Sequence, residues 1–124
     1  MTREDVDTFE KLKVQLDSLH QELSILGKKS PNDAVNAFKL RFINATIRNC
    51  NTFLGANYRP FPDFEEFSPD ELPSNSDVTF IVSHYIEFAE KFRADHINQI
   101  LGNWYWDVPG QQLRTSPPKK LSDR

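Results

Sequence analysis

Residues 9–26 read FEKLKVQLDSLHQELSIL, and Phe9, Leu12, Leu16, Leu19, Leu23 and Leu26 follow one another at steps of 3, 4, 3, 4 and 3. That alternation holds the apolar side chains on one narrow line of a helix, as in a seam packed against a partner helix, whereas a strand would repeat every second residue. Thr2 with Asp5 supplies an N-terminal cap, and Gly27 followed by Lys28 and Lys29 supplies a stop whose charge suits the negative helix end. A helix over about 3–26 is predicted. One stripe of this kind needs other helices to cover it.

Beyond the first helix, Ser30-Pro31-Asn32-Asp33 is a start signal: a serine that can cap, a proline at the first helical position, and an acid near the positive end. The second helix is therefore placed at 31–54, ahead of Gly55. Its apolar residues form two adjoining lines, one through Val35, Phe38, Phe42 and Ala45, the other through Leu40, Ile43, Ile47, Cys50 and Leu54. So wide a face implies more than one neighbour. The short link at 27–30 makes the first two helices antiparallel, an αα-hairpin. A third helix is expected at about 75–101, capped by Ser74, with an aromatic-rich core line running through Val78, Ile81, Val82, Tyr85, Phe88, Ala89, Phe92, His96 and Ile100. The fold class is all-α: a bundle over residues 1–106, followed by a C-terminal extension over 107–124. Around Pro109 and Gly110 the extension is expected to turn, either as a short hairpin or as irregular chain. The last residues, around SPPKKLSDR, are read as exposed.

Between the second and third helices lies RPFPDFEEFSPDELPSNSD, residues 59–77, a long connection for so small a domain. Phe61, Phe64 and Phe67 are spaced at three, so a turn or two of helix would set their rings on one side and leave Asp63, Glu65 and Glu66 in water. Two roles fit. The phenylalanines cover the open side of the bundle while the acids keep the loop hydrated, or the same rings and carboxylates form an acidic docking surface for a basic partner.

Composition narrows the function. The net charge of −3 gives no global attraction to nucleic acid or to an anionic membrane. The distribution is uneven, with an acidic middle (Asp63, Glu65, Glu66, Asp70, Glu71 and Asp77 against Arg59) and a basic tail (Arg114, Lys119, Lys120 and Arg124 against Asp107 and Asp123). Cys50 is the sole cysteine, which leaves no intramolecular disulfide or thiolate zinc cluster, and a reducing compartment follows. The charged start, MTREDVDTFEKLK, does not read as a secretory signal, and no apolar run approaches the roughly 20 residues of a membrane span, so the expected location is cytoplasmic.

Candidate chemistry is sparse. His84 with Glu87, and Asp17 with His20, each place two ligand types one turn apart, but a carboxylate bundle site draws about six inward ligands, which this chain does not offer. His96 lies on the apolar side of the third helix, where a packed, hydrogen-bonded imidazole is expected, and in KFRADH the alternative is that Arg93 and His96 jointly face a phosphate. Cys50 reads as a packed thiol. No phosphate loop, nucleophile elbow or zinc motif is present, and no cofactor is expected. Trp104, Tyr105, Trp106 and Arg114 belong to the residue types that anchor protein interfaces; they would equally serve to close the base of the bundle, or with Lys119 and Lys120 to bind single-stranded nucleic acid. The expectation is a noncatalytic protein–protein interaction protein, a homodimer or the small subunit of a larger assembly. Its candidate contact residues are Phe61, Phe64, Glu65, Glu66, Trp104, Tyr105, Trp106 and Arg114. The alternatives are a small nuclease or metal-dependent hydrolase centred on His84/Glu87 or Arg93/His96, and nucleic-acid binding through the tail.

Overall fold

A computed structural model describes residues 1–119, and the tail residues Lys120, Asp123 and Arg124 lie outside the described part. Three helices form the bulk of the chain: α1 (Arg3–Lys29), α2 (Ala37–Tyr58) and α3 (Asn75–Asp95). A three-stranded antiparallel sheet follows, β1 (Ile97–Ile100), β2 (Asn103–Trp106) and β3 (Arg114–Thr115), in the order β1-β2-β3. The fold is mostly helical, and the sheet corrects the all-α expectation.

The seam of α1 behaves as its spacing demands. Phe9, Leu12, Leu16 and Leu23 are buried together with Val6, while Leu19 packs against the core with part of its surface open. Thr2 and Asp5 form a reciprocal capping box, satisfying two backbone N–H groups that the first helical turn leaves without partners. α1 packs most extensively on α3. The two run in opposite directions, since Thr79 near the start of α3 donates its hydroxyl to the Leu23 carbonyl at 3.3 Å, and Phe92 near its end stacks on Phe9 at 5.8 Å.

α2 starts six residues later than the SPND signal implies. Ser30 instead caps the C-terminus of α1, and Asn36 caps α2 by accepting from the Lys39 N–H at 2.8 Å. The backbone between them is committed to a tertiary partner: Val35 N–H donates to the Pro73 carbonyl at 2.8 Å, Asn75 N–H to the Asp33 carbonyl at 2.9 Å and Ser76 N–H to the Pro31 carbonyl at 3.0 Å. These bonds replace the first helical turn, so the local start signal loses to a long-range pairing. At the other end Gly55, at φ +69°, leaves helical geometry, and the chain resumes a final turn to Tyr58.

α2 and α3 run the same way, with Asn51 meeting Tyr85 in the middle and Tyr58 meeting Phe92 further along. Two parallel neighbours need a return path as long as the helix between them, and α2's 22 residues span about 33 Å. This is why residues 59–74 form a long connection. After a turn at Phe61–Phe64 the segment is nonhelical, which corrects the expected helical turns. Two buried asparagines a heptad apart on α2 hold it. Asn44 donates to the Phe67 carbonyl and accepts from the Phe67 N–H, both at 2.9 Å. Asn51 donates to the carbonyls of Phe64 and Glu65 and accepts the Tyr85 hydroxyl at 2.6 Å.

α3 stops at Asp95 rather than near residue 101. His96 and Ile100 continue the helical line, but the chain after His96 turns into a strand, and Ile97 pairs with Trp106 across β1 and β2. The hairpin turns through Leu101 at φ +50° and Gly102 at φ +84°, the pair of positive angles that a two-residue turn needs to match strand twist. Leucine is a poor residue there, and Leu101 is 98% exposed. Leu101→Asn is expected to raise unfolding stability by about 0.5–1 kcal/mol, read as a higher urea midpoint at unchanged slope. A neutral or destabilising result would show that the turn carries no strain.

Candidate functional site

The groups able to do chemistry are held mainly by other parts of the fold. Arg93 is 5% exposed and lies beside the equally buried Glu90, one turn earlier on α3. Its Nε donates to one Glu90 oxygen at 2.9 Å and Nη2 to the other; Nη1 donates to Thr115 Oγ1 at 2.9 Å and to the Ser116 carbonyl at 2.7 Å; Nη2 also donates to the Pro117 carbonyl at 2.9 Å. A guanidinium has five N–H donors, and all five are engaged. Glu90 completes the clamp by accepting the Lys119 N–H at 2.9 Å. Arg93 therefore fastens the chain after β3 to the bundle, and no donor is left over for a phosphate.

His96 places Nδ1 2.6 Å from the Phe92 carbonyl and stacks on the Phe92 ring at 4.1 Å. A carbonyl can only accept, so Nδ1 carries the hydrogen. His84 repeats the arrangement with the Phe80 carbonyl at 2.8 Å, which leaves Nε2 as its remaining polar atom. Asp17 is paired with Lys13 at 2.8 Å, away from His20, and no group of three or more metal-binding side chains occurs among the described residues. Burial pushes the Cys50 thiol up to about 12, so its thiolate is essentially absent at neutral pH. Burial likewise raises the Tyr85 phenol to about 12, fixing it as the donor to Asn51.

The tail aromatics separate by strand alternation. Trp106 is buried and meets Phe9 edge to face at 5.1 Å, and Trp104, on the same side of β2, also packs against the core. Tyr105 faces the other way, where the Arg114 guanidinium sits 6.0 Å from its ring centroid. Of the four tail candidates, Tyr105 and Arg114 form the outer pair.

On the crossover, Phe61, Phe64 and Phe67 all pack partly against the core. Glu66 is paired with Arg48, and Glu65 with Arg59, whose guanidinium also donates to the Phe64 carbonyl at 2.7 Å. These contacts match the covering role. One ring does more: Phe61 lies 5.2 Å from the His84 ring and 6.3 Å from Phe80, while Phe80 and His84 are 4.5 Å apart. Phe80 is 56% exposed. Asp77, one turn before Phe80 on the same side of α3, and Asp63, two residues beyond Phe61, are exposed and have no ion-pair partner among the described residues. Three rings thus share one face, with the unneutralised Asp77 one turn away on the same side of α3 and Asp63 two residues along the chain from Phe61.

A second aromatic face lies on α2. Its buried line is Leu40, Ile43, Ile47, Cys50 and Leu54, whereas Phe38 (67% exposed) and Phe42 (53% exposed) point away from the bundle with their rings 5.2 Å apart. Of the wide face inferred from sequence, one line lies inside the domain, and the other divides: Val35 is buried ahead of the helix and Ala45 is half-buried, while Phe38 and Phe42 are on the surface. Phe80 was missed as a site residue because it sits off the core line of α3; the signal lay in its spacing of four from His84 and its distance from that line. No helix among the described residues is long and apolar enough to cross a membrane. Comparison with known proteins finds no matching family model, no similar characterised protein and no similar solved structure.

Proposed function

We propose that this protein is a noncatalytic protein–protein interaction module, and that the face built from Phe61, Phe80, His84, Asp63 and Asp77 receives a basic segment of a partner. The observation that carries the reading is Phe80: a large ring left mostly in water, packed against a second ring and an imidazole, with the exposed Asp77 one turn earlier on its helix. Exposed aromatics of this kind are the residues that anchor interfaces. A lysine or arginine laid over the rings gains a cation–π contact, and the carboxylates supply the matching charge. His84 Nε2 offers one directional hydrogen bond at the centre.

The test is selection of random displayed peptides on the folded protein, with Phe80→Ser as the counter-target. Enriched sequences are expected to carry lysine or arginine beside an apolar residue, to lose at least tenfold in affinity against Phe80→Ser, and to bind more weakly as salt rises. Peptides without basic residues, or binding indifferent to Phe80→Ser, would remove this face as the docking site.

A further inference from the structure

We infer that the occupant of the acidic α3 face is the α2 face of a second copy of this chain, so that copies associate head to tail. The inference rests on the proposed docking role of the Phe80 face and names its partner.

The two exposed aromatic faces carry opposite charge. α2, residues 37–58, holds Lys39, Arg41 and Arg48 and not one aspartate or glutamate. Lys39 is neutralised by Glu22 at 2.8 Å and Arg48 by Glu66, whereas Arg41 has no carboxylate partner among the described residues. Its guanidinium stands 5.8 Å from the Phe42 ring centroid. The outward face of α2 is therefore two edge-to-face phenylalanines with one free cation. The α3 face is Phe80, Phe61 and His84 with the free anion Asp77, and Asp63 follows two residues after Phe61; Lys91 lies two turns beyond His84, at the far end of that face. Rings meet rings, and Arg41 meets Asp77. Neither face offers this charge match to itself: α2 against α2 would oppose two arginines, and α3 against α3 would oppose aspartates.

The two faces belong to different helices, so the contact is heterologous. A copy bound through α2 still presents its own α3 face, and growth continues until a ring closes or an open chain forms. Each contact is small, so the association is weak and concentration-dependent.

The experiment is sedimentation velocity on the full chain across a hundredfold concentration range at low and high salt, for the native protein, Arg41→Glu, Asp77→Lys and an equimolar mixture of the two variants. All are checked for native circular dichroism, and both positions are on the surface. The expected result is a weight-average mass that rises with concentration beyond that of a dimer or settles at one ring size, and falls with salt. Each variant alone remains monomeric, and the mixture regains assembly because every junction again joins opposite charges. A mixture that stays monomeric overturns the inference, as does native protein that is monomeric throughout. A dimer abolished by Arg41→Glu but indifferent to Asp77→Lys also overturns it, pointing to a symmetric α2 contact. If the native chain is monomeric yet basic peptides still bind in a Phe80-dependent way, only the self-association fails; if neither occurs, the docking role fails with it.

Discussion

Arg93→Met lowers unfolding stability by about 3–5 kcal/mol, because it strips the hydrogen-bonded cation from a buried carboxylate and leaves Glu90 charged in the interior. A protein of this size has about 5–15 kcal/mol in total, so the loss removes a large share of it. The same substitution releases the segment from Thr115 to Lys119, whose two carbonyls and one hydroxyl the guanidinium holds. Urea unfolding measures the first effect, and limited proteolysis or amide exchange in residues 114–119 measures the second. The double variant Glu90→Leu/Arg93→Met recovers part of the stability without re-securing the tail, since the stranded charge is gone but the clamp is not rebuilt. Native protection of the tail in Arg93→Met, with a loss under about 1 kcal/mol, would refute the clamp.

The pH dependence has a definite sign. Burial pushes the Glu90 carboxyl up, but the Arg93 hydrogen bonds, the Lys119 N–H and the nearby positive charges together pull it down further, and the net value lies below the ordinary carboxylate range. A group with a depressed folded value stabilises above its unfolded value, near 4.3, and that contribution fades as pH falls through the folded one. The gap in stability between native protein and Arg93→Met is therefore widest at neutral pH and narrows in acid. A gap that widens on acidification would contradict the assignment.

Trp106→Ala is the second large effect, a loss of about 3–5 kcal/mol from truncating a buried aromatic. The indole fills the space beside Phe9, while the Trp106 backbone pairs with Ile97 across the strands and donates its N–H to the Leu113 carbonyl at 2.9 Å, so the residue joins the sheet to the helices. Trp106→Phe costs less, because it keeps a ring in place and removes an indole N–H that has no acceptor among the described residues. Thermal or urea unfolding of the pair checks both the size and the order. The outcome also separates two readings of the residue: a tryptophan serving a partner would leave the free protein's stability intact on truncation, while one serving the core would not.

The sequence carried some of this well and some not at all. The α1 seam, its Thr2 and Asp5 cap and the Ser74 cap of α3 were legible because each depends on neighbours within one or two turns. His96 misled because i, i+4 spacing to Ile100 continues a helix as readily as it enters a strand, and the pairing that decides for the strand comes from β2, beyond the turn. Arg93 misled in another way. As a residue near a helix end beside a histidine it resembled a phosphate contact, whereas besides Glu90 one turn back its acceptors are the Thr115 hydroxyl and the Ser116 and Pro117 carbonyls, more than twenty residues further along the chain, which no spacing reveals. Asn44 and Asn51 were invisible for the same reason, since an asparagine on a helix shows no preference for the crossover it fixes.

For the candidate site, the sequence identified the aromatic and acidic character of residues 59–77 and the double apolar line on α2. It could not say which rings would be used up inside. That division came from the parallel course of α2 and α3, which draws the crossover back along α2, covers Phe64 and Phe67, and sets Phe61 beside Phe80 and His84. Three helices and the greater part of their buried lines could be read from the residues, because helical periodicity is local and repeats every few residues. The short hairpin offered around Pro109 and Gly110 is realised as the pairing of β2 with β3, but strand β1, the tail clamp and the two exposed faces emerged only on folding, because each depends on which segments meet once the chain has closed on itself.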